Sequence, residues 1–191
     1  VISRNPKISR RFHLPLQSGS DRILKRMKRL HTYEEYKAKI DRMRELISDI
    51  AVTTDIITGF SRETEEDHIL TRQALQEIRY DSAFIYKYSL RPGTPAAKLP
   101  DDVPQAVKEQ RHRELLELQK EITDDCNHKR IGKAVNAFVE GKNPRNASEM
   151  IGRTDQDKKV VFKGGNHLKG SFARVMIMDL KRETFIGDLC G

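Results

Sequence analysis

Cysteine and tryptophan are scarce in this chain of 191 residues, which has Cys126, Cys190 and no tryptophan. Two cysteines far apart exclude a disulfide framework and favour a reducing, cytoplasmic setting. No secretory signal opens the sequence. No run of about 18 apolar residues occurs, so we expect no membrane-spanning segment. The chain begins with Val1 and not with methionine, which indicates a piece of something longer.

The whole chain has a net charge of +8, and its positive charge is concentrated at the two ends. Residues 1–30 hold nine Lys or Arg against one acidic residue, and residues 130–191 hold twelve against seven. Residues 31–129 hold fifteen basic and twenty acidic residues. Any single Lys or Arg here is most simply solvated surface, but this segregation predicts contacts with a polyanion such as a nucleic acid.

The first 90 residues alternate between predicted strands and helices. Strands are predicted at residues 12–16, 50–57 and 83–88. Capping boxes that begin at Thr32 and Thr64, and an N-cap at Ser20 or Asp21, predict the helices between them. The predicted apolar stripes include Ile23, Met27 and Leu30 in the first helix and Leu70, Ala74 and Ile78 in the third. Such alternation predicts an α/β fold with parallel strands, whose chemistry lies at the carboxyl ends of the strands.

The later part of the chain has a different pattern. Four prolines between residues 91 and 104 argue against a regular element, and a long helix is predicted from Pro104 to Lys129. Beyond Gly132 the apolar residues alternate, with a turn predicted at residues 141–146. Four or five short strands in about 60 residues predict a small all-β barrel of the OB type. The predicted domains are therefore residues 1–129 and 130–191.

Four segments, in chain order, resemble motifs of the radical S-adenosylmethionine (SAM) methylthiotransferases. The run from His13 to Met27 resembles their fourth-strand segment, residues 54–67 their fifth-strand motif, and residues 88–97 their sixth. Residues 130–191 are similar to the TRAM domain, an RNA-binding module that ends these enzymes. The resemblance implies half of a partial, TIM-like radical SAM barrel of six βα units, followed by an OB-like TRAM barrel.

The branch of this family is indicated by a few residues. Ser18-Gly19, Asp55 and Arg91-Pro92 stand where the branch that acts on a ribosomal protein has other residues. The chain is therefore more similar to the tRNA branch, and within it to the enzymes that thiomethylate isopentenyladenosine beside the anticodon. The alternatives are a threonylcarbamoyladenosine tRNA or a ribosomal protein as substrate, or a free-standing RNA-binding module without catalysis.

The resemblance also implies cofactors and partners. In this family one 4Fe-4S cluster cleaves SAM to an adenosyl radical, and a second cluster delivers sulfur. The chain lacks the family's three N-terminal cysteines and its CxxxCxxC loop, so we expect no metal ligands in it and the ligands of both clusters outside it. Arg62 stands where the family usually has glycine. The expected partners are tRNA and a sulfur donor. We expect the protein to be a monomer and not to associate with a membrane.

The residues expected to bind SAM lie near the carboxyl ends of the predicted strands. They are Gln17, Ser18, Asp55, Ile57, Gly59, Tyr88 and Arg91. The first two can hydrogen-bond the ribose or the amino-acid end of SAM, and Ile57 with Gly59 can form a wall for the adenine. Asp55 is either a member of a structural ion pair or a contact to SAM or substrate. Arg91 can hold a carboxylate or a phosphate bidentately.

The residues expected to bind RNA lie on or beside the short strands of the second domain. They are Arg153, Lys158, Lys159, Lys163, Arg174, Lys181 and Arg182. An OB-type barrel combines such a face with an aromatic side chain, here Phe162 or Phe172. Taken singly, each phenylalanine is expected in the barrel core, because a small barrel needs aromatic side chains to fill it.

Overall fold

The computed structural model of the chain describes residues 2–5 and 8–190. Its strands are β1 (Arg11–His13), β2 (Ala51–Thr58), β3 (Ser82–Lys87), β4 (Ala134–Asn143), β5 (Asn146–Thr154), β6 (Lys159–Lys163), β7 (Phe172–Lys181) and β8 (Thr184–Leu189). Its α-helices are α1 (Asp21–Arg26), α2 (Tyr33–Leu46), α3 (Glu65–Ile78) and α4 (Gln105–His128). Short 3-10 helices cover Ile2–Arg4, Pro95–Lys98 and Asn166–Leu168. The chain divides into two compact units, Phe12–Leu46 with Val52–Thr123, and Val1–Arg11 with Ile47–Ala51 and Asp124–Gly191.

The α/β unit contains a three-stranded sheet in the order β1-β2-β3, and β2 and β3 run parallel. Apolar side chains of the helices and of one sheet face are buried together, among them Ile23, Ile40, Ile56, Leu75 and Leu115. Helices and strands alternate along this part of the chain and the paired strands β2 and β3 are parallel, which confirms the predicted α/β class.

Two predicted capping boxes set the starts of α2 and α3. Thr32 N–H donates to Glu35 Oε2 at 3.0 Å, and Glu35 N–H donates to Thr32 Oγ1 at 3.2 Å. The Thr64 and Asp67 side chains and backbones make the same reciprocal bonds. Each box satisfies two backbone N–H groups that have no partner inside the helix.

Asp67 also joins α3 to α1, because its carboxylate accepts from Ser20 Oγ at 2.6 Å and from the Arg22 guanidinium. Burial opposes ionisation of this carboxyl group, but the hydrogen bonds from Arg22, Ser20 and Thr64 outweigh burial and lower its pKa to about 2. Ser20 is the N-cap of α1, as predicted.

Two predicted core positions and one strand end are wrong. Leu30 is 101% exposed, because α1 ends at Arg26 and Lys28 adopts a left-handed φ of 58° that turns the chain away. Leu70 is 45% exposed, because the inner face of α3 is formed by neighbouring residues that include the buried Thr71. Strand β1 ends at His13 and not at Leu16, and only a single bridge, from Gln17 to Ile56, continues the pairing.

The second unit contains a closed barrel in the order β4-β5-β6-β8-β7, which confirms the predicted OB-like architecture. The parallel pairing of β6 with β8 closes the ring. Its interior is filled by alternate side chains of the strands, including Val139, Met150, Phe162, Val175 and Phe185, each at most 1% exposed. The turn predicted at residues 141–146 is shorter, since β4 extends to Asn143 and β5 begins at Asn146.

None of the helices formed by the described residues is both long and apolar enough to cross a lipid bilayer.

Candidate cofactor site and nucleic-acid surface

A cavity of about 1330 Å³ lies beside the carboxyl ends of the sheet strands in the α/β unit. Five of the seven residues predicted to bind SAM line it, namely Gln17, Asp55, Ile57, Tyr88 and Arg91. Residues that follow β1, lie on β2 and follow β3 therefore meet at one place, as expected for parallel strands that end at one edge.

Gln17 reaches the cavity from a strained backbone. Its φ is 76°, a left-handed value that is rare for a residue with a side chain. Two hydrogen bonds to β2 hold it there, from Gln17 N–H to Asp55 O at 2.8 Å and from Ile57 N–H to Gln17 O at 2.9 Å. The sheet therefore fixes the direction of the Gln17 side chain, which is 6% exposed and lines the cavity.

Asp55 is only weakly tied to the protein. Its carboxylate lies 3.4 Å from His13 Nε2, and the two side chains are 28% and 40% exposed. The other ring nitrogen of His13 is 2.9 Å from Thr53 Oγ1, and the His13 ring meets the Phe84 ring edge-on. Among the described residues no buried ion pair involves Asp55, so its carboxylate is available to a molecule in the cavity.

An apolar wall borders the same cavity. Ile57 and Phe60 line it together with Tyr88, and the rings of Phe60 and Tyr88 are in edge-to-face contact with their centroids 4.7 Å apart. Tyr88 donates its hydroxyl to the backbone oxygen of Ala96 at 3.0 Å. Burial, and then the Asp101 carboxylate, raise the pKa of Tyr88, so the hydroxyl keeps the proton that this bond requires. The wall suits a flat aromatic base such as adenine.

Ser18 and Gly59, the other two predicted residues, are not part of the cavity lining. Ser18 is fully buried, with its hydroxyl 3.3 Å from Thr71 Oγ1. Gly59 has a φ of 72°, and a Cβ there would lie 2.4 Å from Cγ of the buried Lys108. The geometry gives both residues packing roles next to the site.

Sequence reasoning missed five basic residues that surround the cavity. They are Arg26, Lys28, Arg29, Lys87 and Lys98. The signal was available in the run Lys25–Arg29, which belongs to the basic first 30 residues. With Arg91, these side chains make the cavity cationic, since Asp55 is its one acidic lining residue among those described. Such a rim attracts anionic groups.

Arg62, which stands in the place of a family glycine, has a φ of 61°. Its backbone N–H donates to Asp102 Oδ1 at 2.8 Å. Glycine adopts this left-handed backbone conformation without strain, which explains why glycine is usual at this position. Arg62 keeps that backbone shape at a conformational cost.

The predicted RNA-binding residues are spread over the barrel surface. Arg153 and Lys159 lie opposite each other on β5 and β6, and Arg174 lies on the outer face of β7. Lys158 precedes β6 and Lys163 ends it, while Lys181 ends β7 and Arg182 lies in the turn to β8. The charge of Arg153 is already engaged, because its guanidinium bonds Asp157 at 2.9 Å and Glu140 at 3.0 Å, and these bonds raise its pKa. Phe162 is core as expected, but the expectation is wrong for Phe172, which is 71% exposed because it lies on the outer face of β7.

Iron–sulfur ligands do not assemble in the described part of the chain. No group of three or more His, Cys, Asp or Glu residues there has the geometry to hold a metal ion. Cys126 and Cys190 are both partly exposed, and neither is in a disulfide. The residues present therefore do not fit a cluster that needs at least three thiolates.

Comparisons with known proteins agree with this architecture. The radical SAM superfamily matches residues 5–75, and the TRAM domain matches residues 128–190. The tRNA-2-methylthio-N(6)-dimethylallyladenosine synthase of Phocaeicola vulgatus is 44% identical over 189 residues, which are 98% of this chain and 41% of that protein. The synthase of the same name from Chlorobium limicola is 43% identical over 188 residues, 98% of this chain and 42% of that protein.

Among solved structures, coproporphyrinogen III oxidase from Escherichia coli, a radical SAM enzyme, superimposes with a TM-score of 0.52. It covers 87% of this chain and 41% of its own, and the 16% sequence identity makes this a likeness of fold alone. The chain spans about two fifths of the length of the curated relatives it matches. The chain is therefore similar to the radical SAM superfamily over residues 5–75, to the TRAM domain over residues 128–190, and over almost its whole length to part of the tRNA-2-methylthio-N(6)-dimethylallyladenosine synthases.

Proposed function

We propose that this chain is part of an enzyme that adds a methylthio group to N6-dimethylallyladenosine beside the anticodon of tRNA. Residues 1–129 would contribute to its radical SAM domain and residues 130–191 would form its TRAM domain. The observation that carries the proposal is the cavity in which Gln17, Asp55, Ile57, Tyr88 and Arg91 meet. Relatives named for this activity align over 98% of the chain, which favours this base over threonylcarbamoyladenosine or a ribosomal protein.

The chemical groups of SAM fit the side chains of the cavity. The Asp55 carboxylate accepts hydrogen bonds from an ammonium group, and the Arg91 guanidinium donates to a carboxylate. The Gln17 amide, fixed by its backbone bonds to β2, can bond ribose hydroxyls. Ile57 and Tyr88 border the space for the adenine. When bound, SAM supplies the methyl group of the product. Two 4Fe-4S clusters and a sulfur donor complete the proposal, with ligands outside this chain.

Basic residues of the chain support the choice of an RNA substrate. The cavity rim carries Arg26, Lys28, Arg29, Lys87 and Lys98, which would contact the phosphates beside the modified base. The barrel supplies a second basic surface, since residues 130–191 hold twelve basic and seven acidic residues. Two surfaces that each neutralise phosphates position a long substrate better than one, because their binding free energies combine.

The proposal is tested by analysing tRNA nucleosides from cells in which the gene is deleted. We expect N6-dimethylallyladenosine to accumulate without its methylthio group, and the unaltered gene to restore the methylthio form. A gene carrying Arg91→Ala should restore it poorly, because the variant loses a charged contact at the cavity. Arg42→Ala is the matched control, since Arg42 pairs with Glu45 on the exposed side of α2. Unchanged methylthio nucleosides in the deleted strain would contradict the proposal.

A further inference from the structure

Two phenylalanine rings lie against each other on the outside of the barrel. Phe138 on β4 and Phe172 on β7 are directly opposite in the strand register. Their ring centroids are 5.4 Å apart with an interplanar angle of 62°, and the residues are 42% and 71% exposed. The barrel interior does not use these rings, because Phe162 and Phe185 already fill it.

Basic side chains flank this aromatic pair. The register places Arg153 opposite Phe138 and Lys159 opposite Arg153, so one row of outward residues crosses four strands from Lys159 to Phe172. Arg174 lies two residues beyond Phe172 on the same face. Glu140 and Asp157 hold the Arg153 guanidinium in place. Within residues 2–5 and 8–190, neither Lys159 nor Arg174 has a carboxylate in ion-pair distance.

An exposed ring pair beside free cations is the combination that binds single-stranded nucleic acid. Each base offers a flat face that stacks on an aromatic ring, and its phosphate meets the cation alongside. A cross-strand aromatic pair also stabilises a sheet, but that role does not require a ring with most of its surface in water. The positive balance of residues 130–191 favours an anionic partner over an apolar protein surface.

We propose that the Phe138–Phe172 pair is a stacking platform for an unpaired base of RNA, with Lys159 and Arg174 contacting the adjoining phosphates. This inference rests on the proposed tRNA substrate and names the part of it that the barrel holds. It assigns the barrel a contact with bases and not with phosphates alone.

The test uses the complete protein and two fluorescent probes of equal length, a short oligouridine and an abasic oligomer. We expect Phe172→Leu, which keeps an apolar side chain but removes the ring, to weaken oligouridine binding roughly ten-fold or more. Binding of the abasic oligomer should not change, and Phe172→Tyr should restore oligouridine binding. Arg174→Gln should weaken binding of both probes and reduce the slope of log affinity against log salt by about 0.7.

Tyr33→Leu is the matched control, because it also removes an aromatic ring and Tyr33 lies on α2 of the other unit, outside the cavity lining. Ultraviolet crosslinking of oligouridine to the unaltered protein should place the crosslink on the peptides that contain Phe138 or Phe172, so folding of a variant is not required. Equal loss for both probes, or no loss with Phe172→Leu, would overturn the platform. Ring-dependent oligouridine binding together with unchanged methylthio nucleosides in the deleted strain would refute only the proposed activity.

Discussion

Replacing Asp55 by Asn separates the two roles that a carboxylate on a mostly buried strand can have. The substitution keeps the size of the side chain and removes its charge. In the structure the one ion-pair partner of Asp55 among the described residues is His13, at 3.4 Å, and both side chains are partly exposed. Exposed pairs of this kind contribute about 0–1 kcal/mol, so the free energy of unfolding should fall by less than about 1 kcal/mol.

Binding of SAM should respond more strongly. A hydrogen bond to a charged group contributes about 1.5–3 kcal/mol when the site is shielded from water. Loss of the carboxylate should therefore raise the Kd for SAM by roughly ten-fold or more. The assay is isothermal titration of SAM into the complete enzyme, with urea unfolding of the same preparations. Asp41→Asn is the control, because Asp41 pairs with Lys37 on the surface of α2, away from the cavity.

The opposite result would refute this reasoning. A structural ion pair that is broken inside a protein costs about 3–5 kcal/mol. If Asp55→Asn lowers the free energy of unfolding by that much and leaves the Kd for SAM unchanged, Asp55 stabilises the sheet and does not bind the cofactor.

Four further predictions concern stability. Folding lowers the pKa of Asp67 from near 3.8 to about 2. The ionised carboxylate should therefore add about 2 kcal/mol to the free energy of unfolding above pH 4, and this contribution should disappear as the pH falls towards 2. Urea unfolding of Asp67→Asn and of the unaltered protein across this pH range measures it. Phe162→Ala should lower the free energy of unfolding by about 3–5 kcal/mol, whereas Phe172→Ala should lower it by less than about 1 kcal/mol. Arg62→Gly should raise it by up to about 1 kcal/mol, because glycine relieves the left-handed strain; a lower melting temperature would count against that strain. Gly19→Ala should lower it by roughly 1–3 kcal/mol, since the new Cβ would lie 2.4 Å from a backbone oxygen of α3; an unchanged melting temperature would show that the helix can move.

Local sequence signals were sufficient wherever a short-range rule sets the structure. The boxes at Thr32 and Thr64 fixed two helix starts, and alternation from Val135 onward predicted a closed barrel. Both rules depend on residues within a few positions of each other, so they do not require knowledge of the tertiary fold.

Positions set by tertiary contacts were not accessible in the same way. Thr71 is polar and yet 3% exposed, because its hydroxyl accepts from Gly19 N–H at 3.0 Å across the fold. A stripe counted from apolar residues alone therefore selected Leu70, its exposed neighbour. The cationic rim was missed for the same reason, since Lys87 and Lys98 join Arg29 only after the chain has folded.

Closure of the barrel determines how a partner can be recognised there. Each of its five strands is paired with two neighbours, so the described residues of the barrel present no edge strand to which a further strand could add. Recognition on this unit must use side chains that project outward, and these can be exchanged without disturbing the ring of hydrogen bonds beneath them. The barrel can therefore change its partner preference by substitution while its backbone stays constant and its strands stay protected from edge-to-edge association.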